Sequence, residues 1–296
     1  MKKLTKFIKH TVDCEYYGNN ICSEVGEVFD ELYNKLDTLI KDKNYLTSKE
    51  KYFNLIEEVS TQLANFCDEV DDILKTKIEE IAETESEWLI DFMASFGIGY
   101  LKLKGIASKL EFMPYAETSD YKNISQTLSS KIYKNIESSL KTAYLTKESL
   151  KNTANRILEK KEKNQKSLDI ELKTFNTGMF RNVDSLLYEK NNQKVKYISV
   201  LDSHTCLVCG MNHGKTFNID NAPSVPVHCN CRCSLIPVEI CDDKINTFDE
   251  FLSDLDETEQ KNVLGKSRYE LYKNGIPITD FVDNGRLLTL DELKNT

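Results

Sequence analysis

The sequence predicts an α+β protein with a mostly helical N-terminal part, a small β-containing module and a helical C-terminal tail. Three observations carry this. Apolar side chains recur at three- and four-residue steps over much of the first 194 residues. Pro114 stands alone in that part, whereas Pro223, Pro226, Pro237 and Pro277 crowd into the rest. Cysteines are as uneven: Cys14, Cys22 and Cys67 are scattered, and Cys206, Cys209, Cys229, Cys231, Cys233 and Cys241 fall close together. The divisions expected are a helical domain over 1–145, helices leading onward over 146–194, the β module over 195–240 and the tail over 241–296.

Each element follows from local pattern. Leu63, Phe66, Val70, Ile73, Leu74, Ile78 and Ile81 form one apolar stripe of a helix. Thr47 and Glu50 fit a capping box ahead of it. Its opposite face is acidic, with Glu57, Glu58, Asp68, Glu69, Asp71, Asp72, Glu79 and Glu80, and is read first as solvated and second as a docking face for a basic partner. Phe96–Tyr100 and Met113–Pro114 should end this helical block. Helices resume over Ile124–Tyr144 and, capped by Thr146, from Lys147. The basic run Lys151, Arg156, Lys160, Lys161, Lys163 and Lys166 is read as a solvated face before a phosphate-binding one. At Val195 the pattern changes. Val195–Leu201, Lys215–Ile219 and Arg232–Glu239 are β-rich and separated by Gly210, Gly214, Pro223 and Pro226. Capping boxes at Thr247–Glu250 and Thr289–Glu292 open the tail helices.

The composition narrows the function. A chain of 296 residues can bury a sizeable core without covalent staples. Its net charge of −9 weighs against a generic nucleic-acid coat, which would be basic. No stretch reaches the roughly 18 apolar residues of a membrane span, and the basic start Met1–His10 is followed by no apolar segment of a signal peptide. The expected compartment is cytosol-like, where clustered cysteines point to metal and not to disulfides.

The cysteine cluster has metal-site spacing. Cys206 and Cys209 make C-x2-C, and after eighteen intervening residues His228, Cys231 and Cys233 make H-x2-C-x-C. Two short turns of this kind can close a tetrahedron of thiolates and imidazole, and zinc is the commonest ion in such a set. The expected ligands are Cys206, Cys209, His228 and Cys231, with Cys233 the rival for the fourth place and Cys229 turned away. Gly210 is expected to let the backbone curl under the ion. Four or five donors competing for one ion make a closed, structural Zn2+ site that supplies folding energy to the β module, not an open catalytic one. His204 and His213 lie nearby and could each serve as a ligand or a general base, but are read first as polar surface residues. Glu85-Ser86-Glu87 resembles the E-x-E of ADP-ribosyltransferases only superficially. No Ser/His/Asp arrangement, phosphate-cradling loop or HExxH is present, so no catalytic residues are assigned.

Tyr197–Cys209, with the middle Met211–Phe217 and the end Pro223–Cys233, resembles the signature of phage Mu F-like minor head proteins, the head-morphogenesis family. Members carry an aromatic strand, L-D-S-R-T-C-P-x-C, an L-D-G-K-x-F turn and P-P-x-H-P-N-C-R-C. Here His204 stands in place of arginine, and Leu207 and Cys229 in place of prolines. None of these departures removes a candidate ligand. Leu172–Asn182 sits where the family has a Thr/Asn helix, and Leu264–Tyr272 and Leu287–Leu293 resemble its tail, so the likeness spans roughly 165–296. The resemblance implies a non-enzymatic minor capsid protein of a tailed bacteriophage, acting in head morphogenesis at or near the portal and in DNA packaging or ejection. It implies contacts with the portal protein and with major capsid or scaffold proteins, with double-stranded DNA as a further candidate and no membrane. It places the protein in the virion, inside the capsid or at the portal vertex, after synthesis in the host cytoplasm. The helical 1–145 part would dock on capsid or portal. The competing class is a virion-associated zinc-dependent nuclease or toxin-like transferase, with Arg268 and Arg286 as phosphate-binding candidates.

Overall fold

Two long helices dominate the N-terminal half: α1 (Lys3–Lys41) and α2 (Lys49–Ala94). At 1.5 Å per residue they extend about 58 and about 69 Å. On α1, Phe7, Cys14, Gly18, Ile21, Val25, Phe29, Leu32, Leu36 and Ile40 are buried, the spacing of one continuous stripe. On α2, Leu63, Phe66, Val70, Leu74 and Ile81 are buried as expected, with Ile73 and Ile78 half-buried at its edge. The acidic face is exposed except at Asp71, which accepts a hydrogen bond from Ser125 Oγ at 2.7 Å. The computed structural model describes residues 3–41, 47–110, 122–241, 245–283 and 285–294; the Met113–Pro114 break lies outside them.

The bundle is completed by α3 (Lys122–Thr146), α4 (Leu150–Leu158) and α5 (Lys161–Lys190). α5 packs on both α1 and α2, and α3 packs on α2. Two expected helix starts are corrected. Ser48, not Thr47, caps α2, its hydroxyl accepting from Lys51 N at 3.2 Å. Thr146 belongs to the end of α3, where its hydroxyl donates back to Thr142 O; Lys147 turns the chain at φ 52°, and Ser149 caps α4. Three of the six basic side chains of 151–166 are engaged by neighbours: Arg156 by Glu148, Lys160 by Asn135 and Lys161 by Asp30.

Three strands follow: β1 (Lys194–Ile198), β2 (Thr216–Asn218) and β3 (Ser234–Pro237), antiparallel in the order β2-β1-β3. Val195 lies opposite both Phe217 and Pro237, and Tyr197 opposite Leu235. Val195 and Tyr197 are fully buried, and β3 rests on α5. All three strands are shorter than expected. β1 stops because the Ser199 N–H leaves the ladder for His213 Nδ1 at 2.9 Å, and the Ser199 hydroxyl donates to Cys209 O at 2.7 Å. Ile219 and Val238 each open a 3-10 turn instead of extending a strand.

Beyond β3 the tail packs a second, smaller core. Short helices α6 (Leu207–Asn212), α7 (Phe248–Asp254), α8 (Glu257–Leu264), α9 (Lys266–Lys273) and α10 (Leu290–Lys294) surround Leu207, Phe248, Leu252, Leu264, Tyr269, Ile278, Phe281 and Leu293. Both expected tail capping boxes are present, at Thr247/Glu250 and Thr289/Glu292, and Asp256/Glu259 adds another. The tail is helical as expected, and within it Val282–Asp283 (β4) and Arg286–Leu287 (β5) pair as a small hairpin that the sequence reading did not include.

Candidate metal centre

Two short segments meet in front of β1. The first is the start of α6. Cys206 is its N-cap, and its sulfur accepts a hydrogen bond from Cys209 N at 3.4 Å, so both C-x2-C thiols face one side. The second is the turn from His228 to Cys233. Cys231 N bonds His228 O at 3.1 Å, and Asn230 takes φ 57°, a conformation asparagine tolerates better than most residues. The turn is held to the bundle by Thr174 of α5, whose hydroxyl accepts from Asn230 N at 3.2 Å.

The structure brings all five expected donors together. Cys206, Cys209 and His228 form one group whose ligand atoms lie within 4.8 Å of one another; Cys209, Cys231 and Cys233 form a second, and Cys209 belongs to both. His228 Nε2 sits 3.1 Å from Cys206 Sγ and 3.2 Å from Cys209 Sγ. His228 Nδ1 donates to Cys229 O at 2.7 Å, which aims Nε2 at the sulfurs. Cys209, Cys231 and Cys233 are buried; Cys229 is exposed and Cys241 lies buried outside the cluster. These are donors that could hold a metal ion, and soft thiolates with one imidazole suit zinc.

The electrostatics are those of a cluster sharing too few protons. Hydrogen bonding from Cys209 and from its other neighbours holds the Cys206 and Cys231 thiols well below the ordinary thiol range. Cys209 is driven up by donating to Cys206, Cys231 and Cys233. Cys233 is drawn down by Cys209 but pushed up overall by Cys231 and burial. His228 is raised to about 9, chiefly by Cys206. A divalent cation held by these donors would take the place of the shared protons, so its binding would release them.

Several supporting residues escaped the sequence reading. Tyr197 OH donates to Cys209 Sγ at 3.7 Å, and Cys233 Sγ donates to Ser199 Oγ at 3.4 Å. Arg232 grips Asp202 with two bonds of 2.7 and 2.8 Å. Thr205 Oγ1 accepts from Asp202 N and donates to Val200 O, closing the turn before Cys206. Gly210 has a different role from the one expected. It lies inside α6 and has no left-handed φ, but a Cβ there would stand 2.7 Å from three ring atoms of Phe248. Its task is to admit that ring.

Other candidates are spent on structure. His204 is exposed beside Ser203, and His213 accepts from Ser199 N. Arg268 donates to Leu288 O, and Arg286 pairs with Glu292 through both nitrogens. Glu85 is buried at 1% exposure inside the bundle while Glu87 is exposed, so the two do not line one surface.

Residues 119–236 match the family model described as phage Mu protein F like protein. That part of the chain resembles the Mu F-like family. The F-like segment starts at the approach to α3, takes in all five donors and ends within β3. It therefore begins earlier than the motifs suggested, because α3 and α4 carry only helical periodicity, and it stops before the tail. No curated protein and no solved structure matches the chain. The matching family model suggests a phage head morphogenesis protein. Among the described residues no helix is long and apolar enough to cross a membrane.

Proposed function

We propose that the chain is a minor head protein of a tailed bacteriophage, acting at or near the portal vertex, and that a closed Zn2+ site holds its F-like module together. The observation that carries this reading is the donor cluster itself, which lies wholly inside the F-like segment. Cys206, Cys209, His228 and Cys231 are the proposed ligands, with Cys233 donating to Ser199 beside them. Four donors fill a tetrahedron and leave no place for an activated water, so the ion serves folding and no chemistry is assigned to it. Three short strands bury little area on their own, which is why a metal clip is needed.

The remaining parts of the reading rest on the resemblance and on the exposed face of α2. The α1–α2–α5 bundle presents a long exposed acidic face on α2 for docking on portal, major capsid or scaffold proteins. Its participation in DNA packaging or ejection, and contact with double-stranded DNA, belong to the same proposal. The test is a phage carrying Cys206→Ser together with Cys231→Ser. Zinc per purified chain should fall by one ion, and electron microscopy should find malformed or empty heads. Absence of the protein from purified wild-type particles would overturn the virion role, and a metal-free, fully folded wild-type chain would overturn the zinc site. A chain lacking residues 1–145 that still enters normal heads would refute docking through the bundle.

A further inference from the structure

A second set of metal-type donors lies inside the helical bundle, on α1 and α2, outside the residues matched to the family model. His10 and Cys14 stand four residues apart on α1 and so share one helix face, and Glu85 reaches them from α2. His10 Nε2 is 2.7 Å from Glu85 Oε2, and Cys14 Sγ is 3.3 Å from His10 Nε2 and 3.7 Å from Glu85 Oε2. We propose that His10, Cys14 and Glu85 form a second metal site, for a divalent cation of the zinc class. The proposal is independent of the function assigned to the F-like module.

The argument begins with unmet hydrogen-bonding capacity. Glu85 and Asp184 are each 1% exposed and their carboxyl groups touch. Each keeps one buried oxygen, Glu85 Oε1 and Asp184 Oδ1, with no donor among the described residues. Two acceptors in contact in a dry interior need a proton or a cation between or beside them. Arg181 Nη1 approaches Asp184 Oδ2 at 3.4 Å and would balance that carboxylate once a cation displaces the proton that burial and Glu85 keep on it. Glu85 and a Cys14 thiolate would then carry two negative charges, the complement of one divalent ion. One thiolate, one imidazole and one carboxylate are borderline donors and select the zinc class over magnesium or calcium. Metal sites assembled from inward-facing side chains on neighbouring helices are a recurring use of helical bundles.

Local support for the ligands is already in place. The His10 ring is stacked on Trp88, centroids 3.4 Å apart and planes 7° apart, so it can slide along the indole face without tilting. Asn176 Nδ2 donates to Cys14 O at 2.9 Å and pins that turn of α1 to α5. A surface hollow lined by Lys9, His10, Asp13, Trp88 and Asp91 opens onto the imidazole and offers an entry path. The hydrogen-bonded His10–Glu85 separation must widen by about 0.6 Å, because donors at about 2.0–2.1 Å from one tetrahedral ion stand about 3.3 Å apart. His10, at the rim with 17% of its side chain exposed, is the residue able to move.

Equilibrium dialysis of the full chain against Zn2+, with metal counted per chain, tests this. Two ions per chain are expected. Cys14→Ser, Glu85→Gln and His10→Ala should each lower the count to one, while Cys206→Ser with Cys231→Ser removes the other ion and leaves this one. The unmodified chain loaded with 113Cd provides a readout that needs no variant. Two cadmium resonances are expected, one from the thiolate-rich cluster and one at lower frequency from the single-thiolate site. A metal count that stays the same in all three bundle variants, or no cadmium resonance from a single-thiolate site, would overturn the proposal.

Discussion

Gly210→Ala isolates the joint between the candidate metal centre and the tail. The new Cβ would lie 2.7 Å from Cδ2, Cε2 and Cζ of Phe248. Ordinary carbon–carbon contact is about 3.5 Å, so the shortfall is about 0.8 Å against three atoms along one side of the ring. Tipping a single atom away cannot relieve it; the ring must move bodily. Phe248 is 3% exposed in a core with Leu207 and Leu252, and it opens α7 just after the Thr247 cap, so neither ring nor backbone has free space to retreat. Overpacking of this kind costs roughly 1–3 kcal/mol. Alanine gains up to about 1 kcal/mol over glycine in a helix interior, and less in a helix as short as α6. Packing therefore wins, and the expected net loss is roughly 1–2 kcal/mol, confined to the tail core. The single tryptophan, Trp88, sits in α2 and reports on the bundle alone. Urea unfolding followed by Trp88 fluorescence should barely change, whereas amide exchange over α7–α9 should accelerate about tenfold. Combining Gly210→Ala with Phe248→Leu should cost less than the two singly, because the smaller side chain vacates the space the methyl needs. If Gly210→Ala protects α7–α9 better than glycine does, the close approach does not constrain this position and the reasoning fails.

Four further outcomes follow from the same geometry. Cys231→Ser should weaken zinc binding far more than Cys233→Ser, since Cys233 is engaged with Ser199; competition against a chromogenic chelator measures both. Zinc held at a hundredfold excess over its dissociation constant should stabilise the 194–240 region by about 2.7 kcal/mol, and chelation should abolish amide protection there while the bundle keeps its helical circular dichroism. Thr174→Val removes the 3.2 Å acceptor of the exposed Asn230 N, at a net cost of roughly 0.5–1.5 kcal/mol, and should appear as lower zinc affinity. Arg232 and its hydrogen bonds hold the Asp202 carboxyl below its ordinary range. The stabilisation from that pair is complete above the unfolded pKa of about 3.9 and is lost as pH falls through the lower folded value. Both partners are about a third exposed, so the effect should be only about 0.5–1 kcal/mol, and acid titrations of Asp202→Asn and the parent should converge at low pH.

What could be read in the sequence was what has a fixed period or a fixed spacing. The α2 stripe from Leu63 to Ile81 and the capping residues Thr247 and Thr289 are local devices, and they fold where their pattern places them. The donor set was legible for the same reason, since C-x2-C and H-x2-C-x-C confine their partners to two short turns. Strand ends were not legible. Ser199 leaves β1 because of a hydrogen bond to His213, fourteen residues away, which no window around Val195–Leu201 contains. Gly210 was misread because its constraint comes from Phe248, a neighbour only in three dimensions. The His10–Cys14–Glu85 group was invisible for a still simpler reason: the third donor lies more than seventy residues away on another helix, and its acidic neighbours make it look like part of a solvated face.

The placement of the candidate centre explains why one ion could matter to so long a chain. Cys209, Cys231 and Cys233 belong to the first core, which is continuous with α1, α2 and α5. Leu207, two residues before Cys209, belongs to the second core with Phe248 and Phe281. α6 is only six residues long, so the position of Cys209 and that of Leu207 cannot be set independently. The turn at 228–233 is tied at one end to α5 through Thr174 and at the other to the 202–205 turn through Arg232 and Asp202. An ion bridging Cys206 and Cys209 to His228 and Cys231 would therefore fasten three things at once: the start of α6, the approach to β3 and, through Leu207 and Gly210, the docking of the tail. Loss of the ion should free the tail from the bundle before it unfolds either one, and small-angle scattering should register this as a larger radius of gyration with unchanged helical content. Expansion accompanied by loss of bundle helicity would mean that the ion supports the bundle directly and that the two cores are not hinged at this site.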